Sequence, residues 1–571
     1  MSKIILKKYN GRKIDLCDEL TRYFLSIKDK AFQAKWLSEY PFQGSHSRQN
    51  VSFEFESLND SVYLVYFSDN IEFNNAFIIE TREKKIDDVG IFIPGKKYFW
   101  KVKDKITNDE SDIDSFTTLN AYIRWISSGS VFNMRDLGGW KVENKKRVKY
   151  GLIYRGAQLK IDSKWEKSYM DEYSYKVFDY LKINTEIDLR GDHIHNISQI
   201  HDNTNNISIN GIGYEQLFTM NEDMKNDYRL IFHALSIKDN YPFYMHCSWG
   251  ADRTGVLAFL ISGLLGVSYD DVSVDYELTS LSNSGRRSRI NHPFKFMYPL
   301  LKEKYGKDKT FKDLINEYLV DYIGVSQNDI DSIRDIMIEE YTDNNITHNI
   351  EYRIDGVKLF ELVIFDGLSV PNIDPIISLN KTLKCIMHNN KIYDVKREVH
   401  EDLVLDLIYE DLKFFAYDKI SLNDLSLGDS YDLREAKNYY YKKSVETGSV
   451  ALSFDYRVES KDGIFDDGVH IEIGNLWDYK AHVWIQNLRS IHVYSKTTTI
   501  PTEFRYNFEY GKVYRIDVGV IIPKNGYSKN QKLFFIKIDN ELISLMRVEL
   551  DLSNSSIGFA GTKGILYNVK K

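Results

Sequence analysis

The run Phe243-Tyr-Met-His246 reads as a short buried strand. Ten residues further on, Arg253 to Leu265 reads as a helix that is apolar nearly all round, with Val256, Leu257, Phe259, Leu260, Ile261, Leu264 and Leu265. An all-round apolar helix belongs inside a domain. The loop Cys247 to Asp252 therefore lies between the end of a buried strand and the start of a buried helix. The flanking pattern agrees. Lys182 to Leu189 reads as a strand. Tyr228, Ile231, Phe232 and Leu235 share one helical face at i, i+3, i+4 and i+7. Alternating strands and helices imply an α/β domain with a parallel sheet. Such sheets bind ligands beyond the carboxyl ends of their strands, where this loop sits.

The loop carries chemistry as well as topology. Cys247 lies six positions before Arg253, His246 precedes the cysteine, and Thr254-Gly255 follow the arginine. Backbone N–H groups left unpaired at a helix start form an anion site, and the helix dipole favours negative charge. The N–H groups that would stabilise a Cys247 thiolate would also bind three phosphoryl oxygens, so Ser248, Trp249, Gly250 and Ala251 become substrate-binding candidates through their backbone. Arg253 offers a planar fork for two of those oxygens. Gly250 and Gly255 suit a tight turn and close helix packing. This is the layout of a cysteine-dependent phosphatase cradle. Cys247 would attack phosphorus to form a cysteinyl-phosphate, which water then hydrolyses. The Thr254 hydroxyl can donate to the thiolate as it leaves, and His246 is placed to orient the loop backbone. The scheme requires no metal and no cofactor.

The stretch His246 to Gly255 resembles the bacterial tyrosine-phosphatase family with the signature HCxxGxDRTG. Three upstream segments are similar to further motifs of that family: Phe132-Asn-Met-Arg-Asp-Leu-Gly-Gly-Trp140, Gly151-Leu-Ile-Tyr-Arg-Gly-Ala-Gln-Leu159, and Glu186-Ile-Asp-Leu-Arg190. Leu265 to Thr279 and Thr310 to Ile338 resemble its later helices. The likeness spans roughly residues 119 to 341. It implies a phosphorylated protein or small molecule as substrate, with Arg135, Asp136 and Arg155 near the phosphate site. It points to Asp252 as the catalytic acid, with Asp188 as a second candidate. The plainer reading of Asp188 is an ion pair that holds Arg190 or Arg135. For Asp136 it is a similar pair with Arg135 or Arg155. Two positions depart from the better-known members. Ala251 stands where they carry lysine, which weakens any carry-over of a phosphoinositide preference. Trp249 is bulky for the loop and either walls the pocket, stacking on an aromatic or sugar-like substrate, or packs against the domain.

The rest of the 571 residues reads as accessory β-structure. Val51, Phe53 and Phe55 alternate with polar residues, and Ile93-Pro-Gly to Val102 with Ser115-Phe-Thr-Thr118 resembles a fibronectin type III sandwich, giving a first module over 1–118. The catalytic module occupies 119–342. Residues 343–411 resemble the β-grasp B repeat of internalins. Residues 412–571 are strand-rich and resemble concanavalin-like and laminin-G-like sandwiches. There Trp477, Tyr479, Trp484 and His482 either line a sugar site or form an apolar sheet face. Asp466-Asp467-Gly468 is either a calcium turn or, more simply, an acidic one. The fold class is thus multidomain, α/β plus all-β.

Composition excludes several functions. A hydrophobic fraction of 43% beside 28% charged residues is ordinary for globular domains. A formal charge of -8 argues against nucleic acid as a general partner. Three scattered cysteines cannot make a disulfide framework. The N-terminal stretch Met1 to Tyr9 has no apolar core of signal-peptide length, and no stretch approaches a membrane span. The accessory modules suggest the cell exterior, with a glycan or surface partner. The absent signal and free catalytic thiol suit the cytoplasm.

Overall fold

The structure is a computed structural model. It describes the chain apart from residues 1–3, 40–44, 50, 88, 121–122, 160–169, 192–197, 283, 291, 376–380, 414–416, 423, 425–429, 433–438, 443–448, 458–467, 476–477, 487–489, 496–501, 507, 527–531, 548–555, 562–564 and 568–571. Two compact units emerge: Met1–Leu25 with Ser45–Ile346, and Ser26–Gly44 with Thr347–Lys571. The first mixes helices and strands. The second is mostly β among its described residues.

The first unit opens with two facing antiparallel layers. Lys13–Ile14, Asp114–Thr118, Lys97–Asp104, Tyr63–Ser68 and Phe77–Thr81 form a five-stranded sheet in that order, the first pair parallel. Ile5–Leu6, Ser52–Glu56 and Lys85–Asp87 form a three-stranded one. The alternation seen in the sequence is the burial pattern: Phe53 and Phe55 point inward, as do Tyr98, Trp100 and Val102. Phe53, Phe67, Phe92, Trp100 and Phe116 are wholly buried and form an aromatic cluster, with Phe53 edge-on to Trp100 at 5.1 Å and 61° and Phe67 stacked on Trp100 at 6.4 Å. Each such side chain contributes roughly 2–3 kcal/mol by burial.

The same core runs on into the α/β part. Its sheet contains β1 (Arg135–Asp136), β2 (Ile153–Gly156), β3 (Thr185–Asp188), β4 (Asn205–Ser208) and β5 (Phe243–His246). The spatial order is β4-β3-β5-β2-β1, parallel except for β1. Helix α1 (Glu172–Leu181) comes after β2, α2 (Glu222–Leu235) precedes β5, and α3 (Arg253–Leu265) and α4 (Tyr269–Leu278) come after it. Phe77 of the sandwich meets Tyr173 and Tyr180 on α1, which ties the two layers of the unit together. Side-chain oxygens of Asp171, Asn221 and Ser268 cap α1, α2 and α4. Helix α3 is buried all round from Thr254 to Leu265 and ends on Gly266 in the left-handed region at φ 90°.

In the second unit, Val357–Phe365, Thr347–Ile354, Leu403–Asp411, Lys381–His388 and Lys391–Ile392 form a five-stranded sheet. The helix Lys30–Glu39 packs on it, with Phe32 stacked on Phe360 at 4.4 Å. The sequence pattern assigns this helical segment to the first β-module. Its partner lies far along the chain, and nothing local marks it. The remaining strands make a seven-stranded and a six-stranded sheet around a core that includes Phe454, Ile471, Val483, Ile516 and Ile536. Trp477 and Asp466-Asp467 lie outside the described residues, as does the side chain of Tyr479. Cys17, Cys247 and Cys385 are all unpaired. No helix among the described residues is long and apolar enough to cross a membrane.

Candidate active site

Strand register assembles the site. In the parallel pairing, His246 at the end of β5 lies opposite Gly156 on one side and Asp188 on the other. The segments leaving these three strands therefore meet at one edge: Ala157 and Gln158, Leu189 and Arg190, and the loop from Cys247. Cys247, the first residue of that loop, is 4% exposed. The sequence expected the loop at the carboxyl edge of a parallel sheet, and it is there.

The loop is held from outside by its carbonyls. Asn133 Nδ2 donates to the carbonyls of Trp249 (3.0 Å) and Gly250 (3.2 Å). Ser284 Oγ donates to Trp249 O at 2.9 Å, and Arg155 Nη2 donates to Gly250 O at 2.9 Å. In a trans peptide the C=O and the following N–H point in opposite directions. Drawing these carbonyls outward turns the amides of Gly250 and Ala251 inward. Gly250 needs its freedom: φ is +63°, and a Cβ there would lie 2.1 Å from the Gly156 carbonyl oxygen. Gly156 is needed in turn, since its Cβ would meet the Tyr244 hydroxyl at 2.5 Å.

Behind the loop lies a buried ion cluster. Asp275 on α4 accepts from Arg135 Nε (2.8 Å) and Arg155 Nη1 (2.5 Å). Burial works to raise its pKa, but the two guanidinium groups outweigh that and hold it below the usual carboxylate range. Burial and neighbouring Arg155 push Arg135 down to about 10. Asp136 does not pair with Arg135 or Arg155, as the sequence suggested. Its carboxylate takes Arg124 Nη1 at 3.0 Å, because β1 turns it toward the sandwich, where Arg124 also donates to the carbonyls of Ile91 and Phe92. Arg135, Asp136 and Arg155 are 1%, 3% and 0% exposed. Arg155 braces the loop directly and Arg135 does so through Asn133, whereas Asp136 serves the contact with the sandwich.

His246 is fully buried, and its Nε2 is 2.8 Å from Glu186 Oε1. The other Glu186 oxygen accepts from Ser198 Oγ and the Gln199 N–H. Burial pushes the Glu186 carboxyl up, but these hydrogen bonds and His246 bring it below its ordinary value. Asp188 is bound by Arg190 through Nε (2.9 Å) and Nη2 (2.7 Å), the ion pair the sequence offered as its plainer role. Burial raises its pKa less than His246 and Arg190 lower it. Glu186, Asp188 and His246 bring ligand atoms within 4.8 Å of one another. A metal would have to displace Arg190 and Ser198 to use them, so the group fits a cation poorly.

Five further side chains surround the loop. Arg253 Nη1 donates to the carbonyls of Leu189 (3.0 Å) and Arg190 (2.8 Å), which fixes the guanidinium over the sheet edge. Thr254 is 0% exposed, and its Oγ1 finds no hydrogen-bond partner among the described residues. Trp249 and Phe132 are half-buried with ring centres 5.6 Å apart at 45°. Asp252 is held by Arg287 and by the Tyr214 hydroxyl (2.8 Å). Burial raises its pKa, but Arg287 and Tyr214 outweigh that and depress it. Sequence reasoning missed Asn133, Glu186, Asp275 and Arg287 as site residues. The burial of Val272 to Leu278 is what requires cationic partners for Asp275 and Glu277, and the sequence alone does not mark that burial.

Residues 126–339 match the tyrosine phosphatase family. The match covers less than half of the chain and supports a phosphatase acting on a phosphorylated substrate. No curated protein sequence matches the chain. Among solved structures, sheep galectin-11 in complex with glycerol is 9% identical, covering 24% of this chain and 94% of its own, with a TM-score of 0.17. The Caenorhabditis elegans galectin LEC-6 is 13% identical over 25% of this chain and 96% of its own, TM-score 0.19. The carbohydrate binding module CBM66 from Bacillus subtilis is 9% identical over 27% and 98%, TM-score 0.17.

Proposed function

We propose that the segment 119–342 is a phosphomonoesterase that works through a cysteinyl-phosphate on Cys247, with phosphotyrosine as its favoured substrate. The observation that supports this most is the loop itself, with Cys247 at its base, carbonyls tied outward and Arg253 fixed at its end. In this reading the loop amides and Arg253 hold the phosphoryl oxygens while the Cys247 thiolate displaces the tyrosyl oxygen. Asp252 is the proposed donor to that oxygen, a role in which it leaves Arg287, which holds it ionised in this structure, and takes up a proton from solvent before the tyrosyl oxygen departs. Asp188 serves as the anchor of Arg190. Thr254 then donates to the departing thiolate when water cleaves the intermediate. Its otherwise unpartnered hydroxyl supports that role.

The aromatic pair Phe132 and Trp249 supports a phosphorylated ring over a sugar-like polyphosphate, which would call for a collar of lysine and arginine. The other segments, 1–118, 343–411 and 412–571, are carried as accessory β-modules. The last takes a glycan or surface protein as its proposed partner. Glycan-array binding by the full chain tests it. The activity is tested by phosphate release from phosphotyrosyl peptides, phosphoinositides and inositol phosphates, with chelator present, on wild type and Cys247→Ser together. Turnover surviving in Cys247→Ser would remove the mechanism. Preference for inositol phosphates would remove the substrate.

A further inference from the structure

His292 lies outside the cysteine loop, yet a continuous run of hydrogen bonds ties it to Asp252. Tyr214 donates to Asp252 Oδ1 at 2.8 Å. The Tyr276 hydroxyl is 3.0 Å from that of Tyr214 and 2.7 Å from His292 Nδ1. Tyr214 and Tyr276 are 5% and 1% exposed, whereas the His292 side chain is 29% exposed. Burial pushes both phenols up, and the Asp252 carboxylate adds to it, so both stay hydroxyls. One proton arrangement suits the run. The ionised Asp252 takes the Tyr214 proton, the Tyr214 oxygen accepts from Tyr276, and the Tyr276 oxygen accepts from His292 Nδ1–H. Every hydrogen then points toward the carboxylate, and Nε2 is the basic nitrogen of the imidazole.

The charged groups around His292 are Asp252, Arg287 and Glu215. Burial pulls its pKa down to about 4, with Asp252 and Glu215 working against that and Arg287 adding to it. An imidazolium that acidic gives up its proton readily. In the proposed reaction Asp252 must take up a proton for each substrate cleaved. Its side chain is 37% exposed in the free protein. A donor to the leaving oxygen touches the substrate, so a phosphotyrosyl ring seated on the loop covers it. His292 reaches the same carboxylate from the segment after α4, away from the loop. We propose that His292 is a proton-relay residue that feeds Asp252 through Tyr276 and Tyr214 while substrate is bound. This role rests on the proposed reaction and deepens it. A solvent proton adds to Nε2, and Nδ1 passes its own to the Tyr276 oxygen. Tyr276 passes its proton to the Tyr214 oxygen, and Tyr214 passes its proton to Asp252 Oδ1. The neutral acid no longer pairs with Arg287 as an ion and turns to the tyrosyl oxygen. That oxygen takes the proton as its bond to phosphorus breaks and the bond from Cys247 to phosphorus forms. His292 returns to its first tautomer by exchange with solvent.

The test is kcat/KM of the full chain on two substrates, with melting curves to verify folding. A phosphotyrosyl peptide needs its leaving oxygen protonated, whereas dinitrophenyl phosphate does not. His292→Ala should lose about tenfold or more on the peptide relative to the dinitrophenyl ester, a part of what a general acid supplies. Added imidazole should restore most of that loss by carrying protons into the gap. Tyr276→Phe and Tyr214→Phe should show the same dependence on the leaving group and no rescue. Equal losses on both substrates in His292→Ala, or a loss that imidazole leaves in place, would mark a structural role and overturn the proposal. So would wild-type kcat/KM on the peptide. If His292→Ala does not fold, His292→Gln takes its place, since its amide keeps a contact with Tyr276 and cannot relay. A loss there on the peptide alone supports the relay, and wild-type kcat/KM overturns it. Asp252→Asn separates this role from the reaction beneath it. Leaving-group dependence in Asp252→Asn with none in His292→Ala refutes the relay alone. Its absence from Asp252→Asn refutes Asp252 as the donor and the relay with it, whereas turnover in Cys247→Ser refutes the proposed reaction.

Discussion

Replacing Asp275 by asparagine keeps the volume and removes one charge. In the native unit that carboxylate is 6% exposed and faces two guanidinium groups, each 1% exposed, at 2.8 and 2.5 Å. Without it, Arg135 and Arg155 become two like charges buried beside each other. Breaking a buried pair by removing one partner costs about 3–5 kcal/mol, and two stranded cations place this case at the upper end. For a folding unit of this size, each kcal/mol shifts the midpoint by roughly 2–4 °C. The catalytic transition should therefore drop by on the order of 10 °C or more in a thermal scan. Arg155 also holds the Gly250 and Ala251 carbonyls, so phosphate release should fall with it. A shift below about 2 °C, with activity intact, would show that Asp275 does not neutralise the pair, and the account of how the loop is braced would fail.

Other outcomes depend on single contacts. Thr254→Val removes a buried hydroxyl that has no partner among the described residues, so it should raise the melting midpoint slightly while slowing breakdown of the intermediate, seen as a larger burst in rapid-quench kinetics. Trp249→Ala should raise KM for phosphotyrosyl peptides several-fold and leave kcat nearly unchanged. An equal loss for aliphatic phosphates would mean that the ring is not a substrate wall. The Glu186 carboxyl is depressed in the folded state, so its contribution is full above its unfolded pKa of about 4.3 and is lost as pH falls through the lower folded value. Wild type should accordingly lose stability more steeply than Glu186→Gln below about pH 4.3 in urea titrations. Parallel curves would contradict the pair with His246.

The centre of the α/β part is readable in the sequence because its determinants are contiguous. A buried strand, a glycine-bearing loop and an apolar helix lie within Phe243 to Leu265, and the structure folds them that way. The alternation at Val51 to Phe55 marks a strand for the same reason. The hidden features depend on partners remote in sequence. Arg155 finds Asp275 120 residues away, and Asn133 reaches Gly250 across 117. Asp136 looks locally like a partner of Arg135 or Arg155, but its strand delivers it to Arg124. Arg287 carries no signal, because an arginine among polar neighbours looks like solvated surface until the fold places it against Asp252. The helix Lys30–Glu39 escapes for the same reason, its stacking partner Phe360 lying in another part of the chain.

The most direct measurement is rapid acid quench of the protein turning over a radiolabelled phosphotyrosyl peptide, with subsequent mapping of the labelled fragment. The account predicts acid-stable label on the peptide that contains Cys247, transient in wild type, longer-lived in Thr254→Val and absent in Cys247→Ser. Phosphate release with no label on Cys247 at any time, or label on another residue, would contradict it.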